Sequence, residues 1–285
     1  MSAVAKRNIL GVLIDDADAK TATDMVIAAA HRGGPFSVSA IAVHGVMEGV
    51  LDPAHLYRLN SLELVVADGQ PVRWALNHLH SAGLRERVYG PNLMLSVLAR
   101  AEQEKLAVYL YGSSPDVLAL LTANLQRRFP GLIIAGTSPS TFGRITAEAA
   151  DRIGEKIRQS GAQIVFVGLG CPRQEVWAYE FRDRVKLPIL AVGAAFPFAA
   201  GTLRQAPKWM QDRGLEWLFR LSTEPRRLWR RYLLLSPAYL FLIACQWFGF
   251  RFHTNGKPPE ARFFMVDFCG VCSRVVPLSG NRRLQ

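Results

Sequence analysis

Cysteine is scarce in this chain: four residues in 285 cannot staple a fold of this size, so a disulfide framework is excluded. Cys269 and Cys272 form a C-x-x-C, but no second pair stands at zinc-like spacing, and no metal site is expected. Residues 1–11 hold only a short apolar run without a cleavage-site pattern, which predicts a cytosolic protein with reduced thiols. Acidic residues are the minority, 23 against 34 lysines and arginines, and the net charge of +11 favours anionic partners. Nucleic acid, phosphorylated metabolites and anionic lipid all meet that description. Internal repeats and low-complexity tracts are also absent. With half of its residues hydrophobic, the chain has ample material for a large core.

Up to about residue 198, short β-branched apolar runs alternate with amphipathic stretches of helix length, the pattern of an α/β domain with a largely parallel sheet. Strands are predicted over 9–14, 37–43, 64–67, 108–111, 132–135, 164–167 and 189–192, and helices over 20–31, 71–80, 93–104, 115–129, 147–159 and 173–185. Ser114-Pro115 supplies an N-cap followed by proline in the first turn; Cys171-Pro172 resembles it less closely.

Beyond Gly201 the composition shifts to tryptophan, proline and arginine. Seven arginines and Lys208 lie between Arg204 and Arg231 against Asp212, Glu216 and Glu224, a local excess of +5 beside an apolar segment. That arrangement fits a membrane surface better than a nucleic-acid groove. Residues 232–250 carry no charge for 19 positions, enough to span a bilayer. Pro237 near the start, Gln246 near the end and basic flanks on both sides favour an interfacial or re-entrant helix over a true span or a buried core helix. The expected organisation is a Rossmann-like core over 1–200, a basic and apolar appendage over 201–253, and an irregular tail over 254–285.

Several segments carry chemistry. Gly168-Leu-Gly170-Cys-Pro172-Arg173-Gln174-Glu175 follows a buried strand and opens a helix, where backbone amides and the helix dipole favour a phosphate. A tight turn without ligand would look the same. The third glycine of a dinucleotide fingerprint is missing, and the strand near 188–196 has no ribose-binding acid, which disfavours a nicotinamide dehydrogenase. The turn at Gly112, ahead of Ser113-Ser114-Pro115, is a second candidate for nucleotide phosphate or ribose, or an ordinary capped helix start. Asp68-Gly69 directly follows an apolar strand, at the edge where open α/β sheets bind ligands. A carboxylate there suits a general base, although an Asp-Gly turn capping the next helix has the same spacing. Arg85, Arg87 and Arg173 offer guanidinium forks for a diphosphate, or solvated surface charge.

Taken together these segments resemble the WecG/TagA/CpsF glycosyltransferases from about residue 9 to 232. The likeness is carried by Asp68-Gly69 with Pro71-Val72, Arg87-Val-Tyr-Gly90, Gly112, Phe129-Pro130-Gly131 with Gly136, Gly168 to Glu175, Ala200-Gly201, Gln205-Ala-Pro207, Leu215-Glu-Trp217 with Arg220, Glu224-Pro225 and Arg230-Arg231-Tyr232. The resemblance implies an inverting, metal-independent enzyme without a cofactor, which moves a hexose or N-acetylhexosamine, such as glucose or N-acetylmannosamine, from a UDP-sugar to a polyprenyl-diphosphate-linked acceptor. It places the protein in exopolysaccharide or cell-wall polymer synthesis, at the cytoplasmic face of the inner membrane as a peripheral or monotopic protein. Asp68 becomes the base. Arg87 and Gln174 line the pocket; the glycine turns at Gly112, Gly136, Gly168 and Gly170 receive UDP; and Gln70, Pro172, Arg173 and Glu175 count as substrate-binding. Arg220, Arg226, Arg227, Arg230 and Arg231 would face headgroups or the lipid-linked diphosphate. One departure stands out: where the family carries threonine or asparagine after the second strand, this chain reads Ala40-Ile-Ala42-Val-His44, so His44 is either a substrate contact or a locally satisfied side chain. A degenerate membrane-peripheral scaffold and a nucleotide-sugar-modifying enzyme are the alternatives.

Overall fold

A computed structural model describes residues 4–140, 143–259 and 264–266. Its centre is a six-stranded, wholly parallel sheet in the order β4-β3-β9-β8-β5-β6, built from β3 (Phe36–Ile41), β4 (Leu64–Ala67), β5 (Val108–Gly112), β6 (Ile134–Ser138), β8 (Ile164–Gly168) and β9 (Pro188–Ala191). Every residue of β4, β5 and β9 is buried, as expected of strands covered on both faces. The two-residue period divides their side chains between two cores. Val65, Tyr109, Tyr111, Val165, Val167 and Ile189 enter one; Leu64, Val66, Leu110, Ile164, Phe166 and Leu190 enter the other.

Helices α2 (Val43–Leu51), α3 (Pro53–Asn60), α4 (Gln70–His80), α7 (Ala147–Gln159) and α8 (Arg173–Val185) supply the first core, and α1 (Ala19–Arg32), α5 (Gly90–Gln103), α6 (Pro115–Arg128) and α9 (Ala195–Ala199) the second. The predicted helices are present, and the fold is the expected Rossmann-like layering. Three details differ. The run over 9–14 is not a strand of the central sheet: it spans the separate two-stranded antiparallel hairpin of β1 (Lys6–Ile9) and β2 (Val12–Asp15), turned by Leu10 and Gly11, both at positive φ. The strand expected over 37–43 stops at Ile41, because Val43 opens α2. The strand expected over 132–135 lies at β6, two residues later at its start. A short antiparallel pair joins β7 (Gly143–Ile145) to β10 (Phe264–Val266); residues 267–285 of the expected tail, with Cys269 and Cys272, lie outside the described residues.

The appendage folds back on the core as α10 (Lys208–Asp212), α11 (Glu216–Thr223), α12 (Pro225–Arg230), a π-helical turn over Arg231–Leu235, and α13 (Ser236–Trp247). Pro237 cannot donate to the preceding turn, and the wider π turn stands immediately before it. Tyr239 is buried, with its hydroxyl donating to the Pro71 carbonyl at 3.3 Å. Gln246 clamps the β1–β2 hairpin: it accepts from the Leu10 amide at 3.0 Å and donates to the Asn8 carbonyl at 2.9 Å. The polar residue that argued against a span thus serves as a tertiary anchor. Among the described residues no helix is long and apolar enough to cross a membrane.

Candidate active site

The loops that matter converge on the carboxyl edge of the sheet, where β3 ends at Ile41, β4 at Ala67, β5 at Gly112, β8 at Gly168 and β9 at Ala191. Asp68 follows β4, its amide bonded to the Ile41 carbonyl at 2.9 Å. Its carboxyl group receives the Gly90 amide, while Oδ1 is buried without a partner. Burial pushes its pKa up to about 6, Glu216 adds to the rise, and Arg87 and Arg220 oppose it. Ala40 and Ala42, the departure noted above, lie beside Gly90 and Gly69, the glycines that flank this carboxylate: Cβ atoms built on those glycines would stand 3.6 Å and 3.5 Å from the two alanine methyls. The missing polar side chains would therefore have stood next to Asp68.

Arg87 approaches from the irregular segment ahead of α5. Its Nη2 meets Glu216 Oε2 at 2.6 Å, and its guanidinium lies 4.3 Å from the centre of the Tyr89 ring. Tyr89 OH donates to Glu216 Oε1 at 3.2 Å. Burial works against the Arg87 charge, but Asp68 and Glu216 together more than offset it and the pKa is raised. Arg220 is close enough to bias both Asp68 and Tyr89, and its Nε is buried without a partner. Two carboxylates and two guanidiniums thus share a largely dry site, where charge interactions are strong.

On the neighbouring loop, Pro172 is the N-cap of α8 and Arg173 donates to the Leu169 carbonyl at 2.6 Å. Gln174 and Glu175 point inward and are buried. Gln174 donates to Glu175 Oε1 at 2.8 Å, as does Ser39 Oγ at 2.9 Å.

This sequence matches the model of the glycosyl transferase WecG/TagA/CpsF family over residues 7–252. Over 208 residues it is 33% identical to the N-acetylglucosaminyldiphosphoundecaprenol N-acetyl-beta-D-mannosaminyltransferase of Bacillus spizizenii, covering 73% of this chain and 77% of that relative. The chain belongs to the WecG/TagA/CpsF glycosyltransferase family.

In this glycosyltransferase the residues expected at the site separate into groups. Asp68, Arg87 and Arg220 come together, while Gln174 and Glu175 sit behind the adjoining turn. Gln70 opens α4 and accepts from Arg73 Nε at 2.9 Å, with its side chain against Gly214 of the appendage. His44 pairs with Glu48 at 3.0 Å in the first turns of α2, and its Nδ1 is buried without a partner. Arg85 is exposed and contributes only its backbone carbonyl, which accepts from Arg73. Of the glycines, Gly170 has φ +79° and open space before it, suited to a ligand's approach. Gly136 instead makes room for the Tyr109 ring, 2.7 Å from where a Cβ would stand, and Gly168 makes room for Phe196. Gly112, at φ +108°, packs on the Gly168 backbone.

The five appendage arginines also divide. Arg220 and Arg231 turn toward the core, Arg231 close enough to bias Cys171 and Glu48, whereas Arg226, Arg227 and Arg230 are exposed. Arg227 pairs with Glu224 at 2.6 Å, and Arg230 lies over Trp229.

Sequence reasoning missed Glu216, Tyr89 and Ser39 as site residues. Glu216 had a signal: it is one of three acids in a basic stretch, within the Leu215-Glu-Trp217 motif that carried the resemblance. Asp16 and Asp18 stand at the Asp-x-Asp spacing used by metal-dependent glycosyltransferases, yet Asp16 faces Arg7 at 3.6 Å and Asp18 caps α1. Their neighbour Asp15 binds the Val65 amide at the start of β4, the opposite end from Asp68. Among the described residues no group of three or more His, Cys, Asp or Glu side chains is placed to hold a metal ion.

Proposed function

We propose that this enzyme transfers a sugar from a UDP-sugar, N-acetylmannosamine first among the candidates, to a polyprenyl-diphosphate-linked acceptor at a membrane surface, with inversion at the anomeric carbon. The choice of sugar and the acceptor class rest on the activity for which the Bacillus spizizenii relative is named, and the UDP carrier on the family resemblance. The observation that carries the mechanism is Asp68: a buried carboxylate with an unpartnered oxygen, poised near neutrality and flanked by Arg87 and Arg220. With a pKa of about 6 it is mostly ionised at pH 7, yet basic enough to take a proton.

In a single displacement the acceptor hydroxyl oxygen bonds to the anomeric carbon from the face opposite the diphosphate. The carbon–oxygen bond to UDP breaks, UDP leaves with the bonding pair, and the hydroxyl proton passes to Asp68. The attack from behind is what inverts the centre. Arg87, Arg220 and Arg231, with the amides around Gly170, are the positive groups available to the departing diphosphate. These fixed cations support a metal-independent reaction.

The membrane role rests on the appendage. Leu233, Leu234, Leu240, Phe241, Trp247 and Phe248 are exposed in the same helical run as the exposed Arg226, Arg227 and Arg230, a combination suited to an anionic bilayer interface.

The test is incubation of the full chain with a panel of radiolabelled UDP-sugars and N-acetylglucosaminyl-diphospho-polyprenol, with extraction of lipid-linked product, with and without EDTA. The expected result is a labelled lipid-linked disaccharide from UDP-N-acetylmannosamine at an EDTA-insensitive rate. Absence of transfer from every UDP-sugar overturns the functional reading. Loss in EDTA with rescue by Mg²⁺ overturns metal independence alone.

A further inference from the structure

Behind the Gly170 turn lies a buried chain of polar groups. Ser39, Gln174 and Glu175 are 0%, 4% and 1% exposed. Glu175 Oε1 accepts two hydrogens, one from Ser39 Oγ at 2.9 Å and one from Gln174 Nε2 at 2.8 Å, and Gln174 Nε2 also points at the Ala191 carbonyl at 3.5 Å. An amide's two ends are alike in shape, so its orientation is set by its partners. Here a carboxylate oxygen and a carbonyl oxygen, acceptors both, demand the NH₂ end. The carbonyl end must then face the other way.

That carbonyl oxygen, Gln174 Oε1, is buried and has no partner. It lies against Gly193, where a Cβ would come within 2.7 Å, so only glycine leaves the oxygen its place. Residue 192, next in the chain, adjoins the catalytic edge: a Cβ on Gly90 would stand 3.7 Å from the Val192 carbonyl and 3.9 Å from Asp68 Oδ2. A buried acceptor left unpaired is costly, and it calls for a donor from outside the chain's own hydrogen bonds.

We propose that Glu175, held by Ser39, is a positioning residue that fixes the Gln174 amide so that its carbonyl oxygen accepts a hydrogen bond from an N–H or O–H of the sugar nucleotide. This rests on the functional reading above. It also separates Gln174 from the diphosphate: phosphate oxygens accept and do not donate, so Gln174 selects among sugars or bases and does not hold charge. The donor hydrogen belongs either to the nucleotide or to the sugar.

The experiment measures Kd by calorimetry for two probes, UDP and UDP-N-acetylmannosamine, on the full chain and on Gln174→Ala, Glu175→Met, Glu175→Gln and Gln174→Ala/Glu175→Met, with thermal melting of each. Gln174→Ala is expected to weaken binding about tenfold, the scale of one buried hydrogen bond. Glu175→Met should weaken it similarly, and Glu175→Gln should restore it, because its carbonyl oxygen can take the same two hydrogens. The double variant should be no weaker than Gln174→Ala, since Glu175 acts through Gln174. A loss shared by both probes puts the donor hydrogen on the nucleotide; a loss confined to the sugar nucleotide puts it on the sugar. If Glu175→Met does not fold, Ser39→Ala reads the same relay, with an expected loss of about threefold. Wild-type affinity in Gln174→Ala, or additive losses in the double variant, overturns the inference. Failure of the wild-type chain to bind either probe overturns the functional reading, and the inference with it.

Discussion

The two sides of the appendage differ sharply in how their side chains are satisfied. On the inner side Tyr239 is 1% exposed and bonded to Pro71, Gln246 holds the hairpin, and Glu216 binds Arg87 and Tyr89. On the outer side Phe241 is 68%, Trp247 68% and Phe248 81% exposed, and Arg226 and Arg230, nearer the start of the same helical run, are exposed too. Scattered exposed apolar residues are ordinary, but a group of large ones along one helix face marks a surface meant for another apolar phase. On the proposed reading one short segment does two jobs: its inner side brings Glu216 and Arg220 to Asp68, and its outer side meets lipid.

The sharpest separation of the two jobs comes at Asp68, the core residue that the inner side alone approaches. Asp68→Asn is expected to lose about 10²- to 10⁴-fold in transfer rate while membrane binding is unchanged. The same substitution should raise the melting temperature at pH 7.5. The folded pKa of about 6 lies above the ordinary 3.8, so the folded state binds this proton more tightly than the unfolded chain does. The stabilisation by protonation is fully present below 3.8 and is lost as pH rises through 6. An asparagine escapes that loss, and calorimetry at pH 4 and pH 7.5 should show the gap between variant and wild type widening with pH.

A smaller effect is expected at Glu216, the appendage's own contribution. Its negative charge raises the Asp68 pKa, so Glu216→Gln should move the acid limb of the kcat/KM profile to lower pH. Its plateau should fall about tenfold as Arg87 loses a charged partner. A limb that stays in place would remove Glu216 from the electrostatics of the base.

The smallest effects are expected outside. Exchanging Arg226, Arg227 and Arg230 for glutamate should weaken binding to anionic vesicles by at least about 1 kcal/mol per position. The loss should be greatest at low salt, with turnover on a water-soluble acceptor unchanged. Vesicle sedimentation across a salt series reads this directly.

Most of the core was legible because local pattern and global fold agree there. The β4, β5, β8 and β9 runs are apolar, as parallel strands buried on both faces must be, and α6 begins at the Ser114-Pro115 cap that marks it. Where the two levels disagree, the reading slipped. Leu10 is a poor residue for positive φ, so 9–14 looked like one strand instead of a hairpin. Gly45 and Gly49 weaken the helical signal of α2, yet their missing side chains let that helix close on Ile41 and Val12. Asp68 was visible as a carboxylate at a strand end, but its partner Glu216 lies 148 positions away, and nothing local in the chain pairs them. The division of the arginines into inner and outer sets follows from how α11 to α13 fold back, which charge counting does not reveal.

The central claim, that one side of the appendage completes the site while the other docks on lipid, is tested most directly by flotation of the full chain with anionic liposomes. The decisive variant replaces Phe241, Trp247 and Phe248 with serine. The account predicts that wild-type protein floats, and that the variant stays in the dense fraction yet keeps its melting temperature and its turnover on a water-soluble acceptor. A variant that floats as well as the wild type would contradict it.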